Sequence, residues 1–261
     1  GALAELKKHI LPRDYSDLDL SKMEIYLVEG SDHLLGGMSE KSSNAALTYM
    51  NELGIHVLTN TIVKDYQDDY AILSNGEQIH TRSLIWAAGV KGNVVEGFED
   101  HQVSDSRILV DEYNRVLDAS NVFAIGDLAA MTSEEHPKGH PMLAPVAIQQ
   151  GKHLARNLKS MLKGNEMTPF RYFDKGTMAT IGRNKAVVDM PGGLHLKGFL
   201  AWLIWMFVHI MYLGGFRNRL ITLNNWIWSY FTYDKGTRLI IRVFNRKEKI
   251  RSEEKEAVLS E

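Results

Sequence analysis

NVFAIGDLAA, residues 121–130, is the stretch on which the reading of this chain turns. Residues 122–125 form a short apolar run with the pattern of a buried strand. Gly126 and Asp127 follow at once, and then small residues that favour helix. Gly126 permits a tight turn and leaves room for a ligand beside the strand end. Asp127 is then expected at a helix start, where its carboxylate caps free N–H groups. Two readings of Asp127 stand open: an N-cap alone, or one that also accepts a ligand hydroxyl in the crevice past the carboxyl ends of the strands.

The flanking residues are organised around the same point. Residues 143–163, LAPVAIQQGKHLARNLKSMLK, carry a strong helical pattern, with Pro145 suited to the first turn. Residues 55–58, 70–73 and 78–80 read as strands of a β-meander around an SNGE turn. The meander ends in a strand at 83–87, which leads to Ala88, Gly89 and Val90, small enough for close backbone approach to a planar ligand. Residues 23–28 are a strand closed by Glu29 and Gly30, and residues 39–53 a helix stopped by Gly54. Glu29 is either a solvated strand-end carboxylate or the acid that holds a ribose at the end of a second nucleotide-fold strand, with no arginine beside it for a 2′-phosphate. Residues 2–10 read as a helix ended by Pro12, and residues 170–189 as paired strands with turns at 174–176 and 182–184. His136 and His140 lie on a Pro/Gly loop without a third ligand, so no metal site is expected.

Composition bounds the rest. The 261 residues are 44% hydrophobic and 24% charged, enough apolar mass for a core. The absence of cysteine excludes a disulfide framework, a thiolate metal site and a cysteine redox pair. Gly1 precedes a helical run without an initiator methionine or N-cap, which reads as the middle of an element.

The net charge of −2 conceals an asymmetry: residues 198–251 carry nine Lys and Arg against Asp234 and Glu248. The same region holds an apolar run at 199–213, too short for the ~20 residues a spanning helix needs. Trp202, Trp205, His209 and Tyr212 recur at helical spacing, and Trp226, Trp228, Tyr230, Phe231 and Tyr233 follow Arg217 and Arg219. Basic, aromatic helices of this kind lie on an anionic membrane surface rather than cross it, and they argue against nucleic acid as the partner. The other reading is a buried helical hairpin at a protein interface.

Four phrases, WAAG, AIGD, APVAIQQG and GFLAW, occur in an order that resembles the type II NADH:quinone oxidoreductases, flavoproteins of the pyridine nucleotide-disulfide oxidoreductase superfamily. The resemblance implies an α/β fold with two dinucleotide-binding, Rossmann-like domains, both incomplete because neither glycine-rich loop is in the sequence, and C-terminal amphipathic membrane-anchoring helices. The domains implied are an NADH-binding one at 1–106, the C-terminal part of an FAD-binding one at 107–190, the anchoring region at 191–251 and a polar tail at 252–261. Carried onto this chain, Glu29 binds NADH, and Ala88, Gly89, Gly126, Asp127, Ala144, Pro145 and Val146 surround the flavin. Gln149 and Lys197 act in catalysis, and Pro145, Gln149 and Leu200 border the quinone. Pro145 stands where the family has glutamine and has no amide to donate, so Gln149 becomes the donor candidate.

The implied activity is hydride transfer from NADH to FAD and then reduction of a membrane quinone, without proton pumping. The implied setting is a peripheral homodimer on an anionic bilayer, at the cytoplasmic face of the inner (cell) membrane. These 261 residues alone are expected to hold flavin weakly. A soluble ferredoxin or disulfide reductase shares AIGD but would carry a globular dimerisation domain in place of the anchor, and a non-catalytic membrane-bound nucleotide sensor is the alternative of a different class.

Overall fold

The structure, a computed structural model, describes residues 1–134 and 136–232. It divides into two compact units, one made of Gly1–Val63 with the residues from Thr177 onward, the other of Lys64–Gly176. Tyr233 and the basic residues beyond it lie outside the described residues.

The N-terminal helix runs through Pro12, which corrects the expectation that proline ends it. Ala2–Glu5 and Leu11–Asp14 are α-helical, and a π turn, Leu6–Ile10, joins them. The Leu11 N–H reaches back to the Leu6 carbonyl, and this wider turn accommodates a proline that brings no N–H. Next come β1 (Tyr26–Val28), α1 (Glu40–Glu52) and β2 (His56–Leu58). The strands pair in parallel, Tyr26 opposite His56 and Val28 opposite Leu58, so α1 is the crossover of a βαβ unit. Ser39 starts α1 by accepting the Ser42 N–H on its hydroxyl. Gly54, at φ +72°, ends it: its N–H bonds to the Asn51 carbonyl and that of Ile55 to Met50.

The chain enters the second unit through β3 (Val63–Gln67), β4 (Tyr70–Leu73) and β5 (Gln78–His80), one three-stranded sheet. Residues 83–87 are not a strand, contrary to their apolar pattern. Ile85 and Trp86 are 67% and 66% exposed, and no ladder pairs this run among the described residues. Strand preference expresses packing on neighbours, and here none is supplied. A second sheet holds β6 (Val103–Ser104), β7 (Arg107–Val110) and β8 (Ala129–Met131), in that order. β8 lies parallel to β7 with Ala129 opposite Ile108. Ile108, Val110, Val116, Ala124, Ala129, Met131 and Phe170 form the core under it. α2 (Ala144–Met161) follows, with Leu143 as N-cap and Pro145 in the first turn, as read from the sequence.

The chain then returns to the first unit as β9 (Thr177–Gly182), β10 (Lys185–Asp189) and β11 (His195–Lys197), joined antiparallel with β10 central. Residues 170–173, expected to be strand, are irregular. In β10, Val187 packs with Ala45 and Ala46 of α1, while Ala186 and Val188 pack with Ala201 of the next helix. Cover on both faces explains why AVV is a continuous apolar run rather than an alternating one. α3 (Gly198–Tyr212) and α4 (Phe216–Thr232) close the described chain, and no helix among the described residues is long and apolar enough to cross a membrane.

Candidate functional site

The decisive turn differs from its sequence reading in both halves. Residues 122–125 are an extended passage with a single bridge, Phe123 to Arg115, not a strand. Buried Asn114 holds the passage: its carbonyl accepts the Ala124 N–H and its side-chain amide reaches the Ala124 carbonyl. After Gly126 comes a three-residue 3-10 turn, Gly126–Leu128, and then strand β8 instead of a helix. The ladder to Ile108–Val110 overrides the helical preference of two alanines. Asp127 therefore caps no helix; its exposed carboxylate makes no hydrogen bond among the described residues. This geometry overturns the N-cap reading.

Gly126 has φ +70°, and a Cβ there would stand 3.2 Å from the Ala147 Cβ, so the turn is pressed onto the start of α2. That helix start has no side-chain cap. The Val146 and Ala147 amides turn back to the Leu143 carbonyl and Pro145 has none, leaving the Ala144 N–H without a backbone acceptor among the described residues. An unpartnered carboxylate beside an uncapped helix start suits a ligand that offers hydroxyls to one and a partial negative charge to the other. The residues present thus fit a flavin dinucleotide.

Ala88 and Gly89 lie on an exposed turn with Gly89 at φ +95°. This loop is anchored at Gly92, where a Cβ would stand 2.1 Å from the Ser106 carbonyl oxygen and 3.3 Å from Leu128. Gly92 therefore brings the loop to the 126–128 turn, a role that a bare glycine in sequence does not announce. Gln149 is engaged at both ends of its amide: Nε2 donates to the Phe173 carbonyl at 3.0 Å and Oε1 accepts the Phe173 N–H at 3.0 Å. Its neighbour Gln150, 1% exposed, accepts the Gly126 N–H at 2.7 Å. Buried Arg107 donates to the carbonyls of Asp127, Ala129, Lys138 and His140. Neither Gln150 nor Arg107 was expected in the site. Their signal is polar character at a buried register position, which only the fold reveals.

The histidines of the 132–142 loop pack as aromatics: the His136 and His140 rings lie 4.6 Å apart, and His140 meets Phe170 edge-on at 5.6 Å. Burial lowers the His140 pKa from its ordinary value, helped by His136 and Arg107. Among the described residues no His/Asp/Glu group gathers that could hold a metal.

Glu29, Lys197 and Leu200 belong to the first unit. Glu29 Oε1 accepts the Ser31 N–H at 2.9 Å and hydroxyl at 2.7 Å, and these bonds lower its pKa. Lys197 closes β11 opposite Val187 and is the N-cap residue of α3, and Leu200 is exposed in the first turn of that helix. Among the aromatics expected on a membrane face, four instead join the two helices: Trp205 stacks on Trp226 at 5.7 Å, and Trp202 meets Tyr230 at 5.5 Å. Arg183 secures the end of α4, donating to the Ser229 and Tyr230 carbonyls. Tyr212, Trp228 and Phe231 of that set are exposed, as expected, and further apolar residues are exposed with them. Phe216, Leu220, Ile227 and Phe231 fall on one face of α4, and Phe207 and Met211 on one of α3.

A parallel βαβ unit in one part and a glycine turn meeting a helix start in the other place the chain among the α/β nucleotide-binding proteins. It belongs to the pyridine nucleotide-disulphide oxidoreductase family, which it matches over residues 4–151, and residues 175–233 match the NDH2 C-terminal domain. It is 32% identical over 251 residues to the type II NADH:quinone oxidoreductase Ndh of Mycobacterium tuberculosis, covering 90% of this chain and 52% of that protein. It is 31% identical to an internal alternative NAD(P)H-ubiquinone oxidoreductase of Arabidopsis thaliana, over 80% of this chain and 44% of that one. The chain spans about half the length of these relatives. A solved structure of NDH2 from Plasmodium falciparum in complex with NADH shares the fold, with TM-score 0.80 at 19% identity over 92% of this chain and 63% of that chain. The family resemblance read from the four ordered phrases is the one these comparisons return.

Proposed function

We propose that the full-length protein is a non-proton-pumping, FAD-dependent NADH:quinone oxidoreductase. The observation that carries this is the Gly126–Asp127 turn pressed on the uncapped start of α2, in a chain that continues into an NDH2 C-terminal domain. Bound flavin supplies the two-electron relay between a nicotinamide and a quinone. The protein's part is placement. Asp127 accepts a ribityl hydroxyl, and the dipole end at Ala144, Pro145 and Val146 favours negative charge on the ring. Ala88 and Gly89 admit the ring to their backbone. Glu29, held ionised by Ser31, takes the NADH ribose. Gln149 keeps one amide N–H beyond its bond to Phe173, and that hydrogen is the donor for a quinone carbonyl, with Pro145 on the same helix.

The domain division follows the family: NADH at 1–106, FAD at 107–190, membrane attachment at 191–251 and a tail at 252–261. The exposed faces of α3 and α4 meet an anionic bilayer, the protein sits at the cytoplasmic face of the inner membrane, and it works as a homodimer. The apolar row of α4 supports the bilayer contact, and the family resemblance supports the rest. A soluble ferredoxin or disulfide reductase fits less well, because α3 and α4 stand where such enzymes carry a globular dimerisation domain. The test is steady-state NADH oxidation by the full-length protein with a quinone analogue. Quinone-dependent turnover is expected; a flavin-replete protein that passes no electrons to quinone overturns the proposal.

A further inference from the structure

Arg107 is 8% exposed and Gln150 1%, too enclosed for either to meet a ligand directly. Both are polar, and a buried polar group is costly unless its bonds are made. Gln150 Oε1 accepts the Gly126 N–H at 2.7 Å. Arg107 Nε donates to the Asp127 carbonyl at 3.1 Å, its Nη1 to Lys138 at 3.0 Å, and its Nη2 to His140 at 3.0 Å and to Ala129. The peptide groups on either side of Gly126–Asp127 are therefore held from opposite ends, one by its N–H and one by its carbonyl. Burial lowers the guanidinium pKa, while the negative charge of Asp127 raises it. The cation thus lies within electrostatic reach of a carboxylate it does not hydrogen-bond.

We propose that Arg107 and Gln150 are positioning residues: two buried clamps that fix the 126–128 turn so that the Asp127 carboxylate is presented, pre-oriented, to the ribityl hydroxyls of the flavin. The proposal rests on the reading of Asp127 as a flavin ligand. A guanidinium is needed because its planar array of donors spans four carbonyls at once, which a lysine ammonium on a flexible stem cannot do. A fixed acceptor loses less on binding than one that must be ordered by the ligand.

The test is a double-mutant cycle on the full-length apoprotein, read as FAD affinity by fluorescence titration with thermal stability recorded alongside. D127A is expected to weaken FAD binding by about 10-fold or more, the loss of a hydrogen bond to a charged group. R107K is expected to weaken it by a similar factor, and R107K in the D127A background to add nothing further. A merely structural role would lower affinity equally in both backgrounds, and that additivity overturns the proposal, as does wild-type affinity in R107K. Q150M, which removes the acceptor for Gly126, runs the same cycle should R107K not fold, with the same two outcomes decisive. Wild-type affinity in D127A would overturn the flavin reading itself, and with it the positioning role.

Discussion

At the scale of single residues, Gly126 illustrates how one position serves backbone and site together. Its φ of +70° is unfavourable for any residue with a Cβ, and the space that Cβ would occupy is bounded by Ala147 at 3.2 Å. Gly126→Ala should cost roughly 1–2 kcal/mol from the backbone, and more from the contact. The melting temperature of the chain is expected to fall by several degrees. Ala147→Gly in the same background should recover the steric part and leave the conformational part. Full recovery would show that φ carries no cost here. Gln149 shows the opposite relation: an amide chosen from sequence as a substrate donor also ties Phe173 to α2, so its substitution will disturb structure as well as chemistry.

Asp189 works at the scale of elements, joining the end of β10 to the start of α1. Burial alone would raise its pKa. Bonds from the Ser39 N–H, from His195 and from the Ser42 and Ser39 hydroxyls outweigh it and hold the carboxyl at about 2. A carboxyl depressed below its ordinary value stabilises the fold above pH ~4, and that contribution, about 2 kcal/mol, drains away as pH falls towards 2. Urea unfolding of wild type and Asp189→Asn at pH 7 and pH 3 should show a gap that narrows at the lower pH. A gap of constant size would mean that the carboxylate's charge is irrelevant to the joint. Ser42 Oγ donates to Asp189, and both Ser42 Oγ and Asp189 Oδ1 meet His195 at the same nitrogen, Nδ1, so this Ser-His-Asp group is a structural joint and lacks the arrangement of a nucleophile with its base.

For the whole molecule, the pairing of α3 with α4 decides which surface is left apolar. Trp202, Trp205, Trp226 and Tyr230 are used between the helices. The remaining row of Phe216, Leu220, Ile227 and Phe231 is open to solvent, from 44% at Leu220 to 76% at Phe231. Replacing Phe216, Ile227 and Phe231 together by serine should abolish flotation of the full-length protein with anionic liposomes and leave its melting temperature within a few degrees of wild type. Undiminished flotation would assign membrane attachment to another surface. Replacing Trp205 and Trp226 should have the reverse profile, a loss of stability first, since their burial is internal.

The sequence by itself determined the α/β class, the succession of strand, helix and strand over residues 23–58, the extents of α1, α2 and α3, and the family. Each rests on local chemistry: β-branched runs, Ser39 and Gly54 as start and stop, Pro145 in a first turn, and phrases whose order is specific. The sequence set residues 55–58 in the meander, whereas residues 56–58 pair in parallel with β1. Only the tertiary structure decided that residues 122–125 are not a strand, that Ala129 and Ala130 are one, and that Pro12 is absorbed by a π turn. It also decided that Arg107 and Gln150 hold the site. Apart from the π turn, which is local, these depend on ladders and buried polar bonds between residues separated in the chain, and a partner remote in sequence leaves no periodicity at the position it governs.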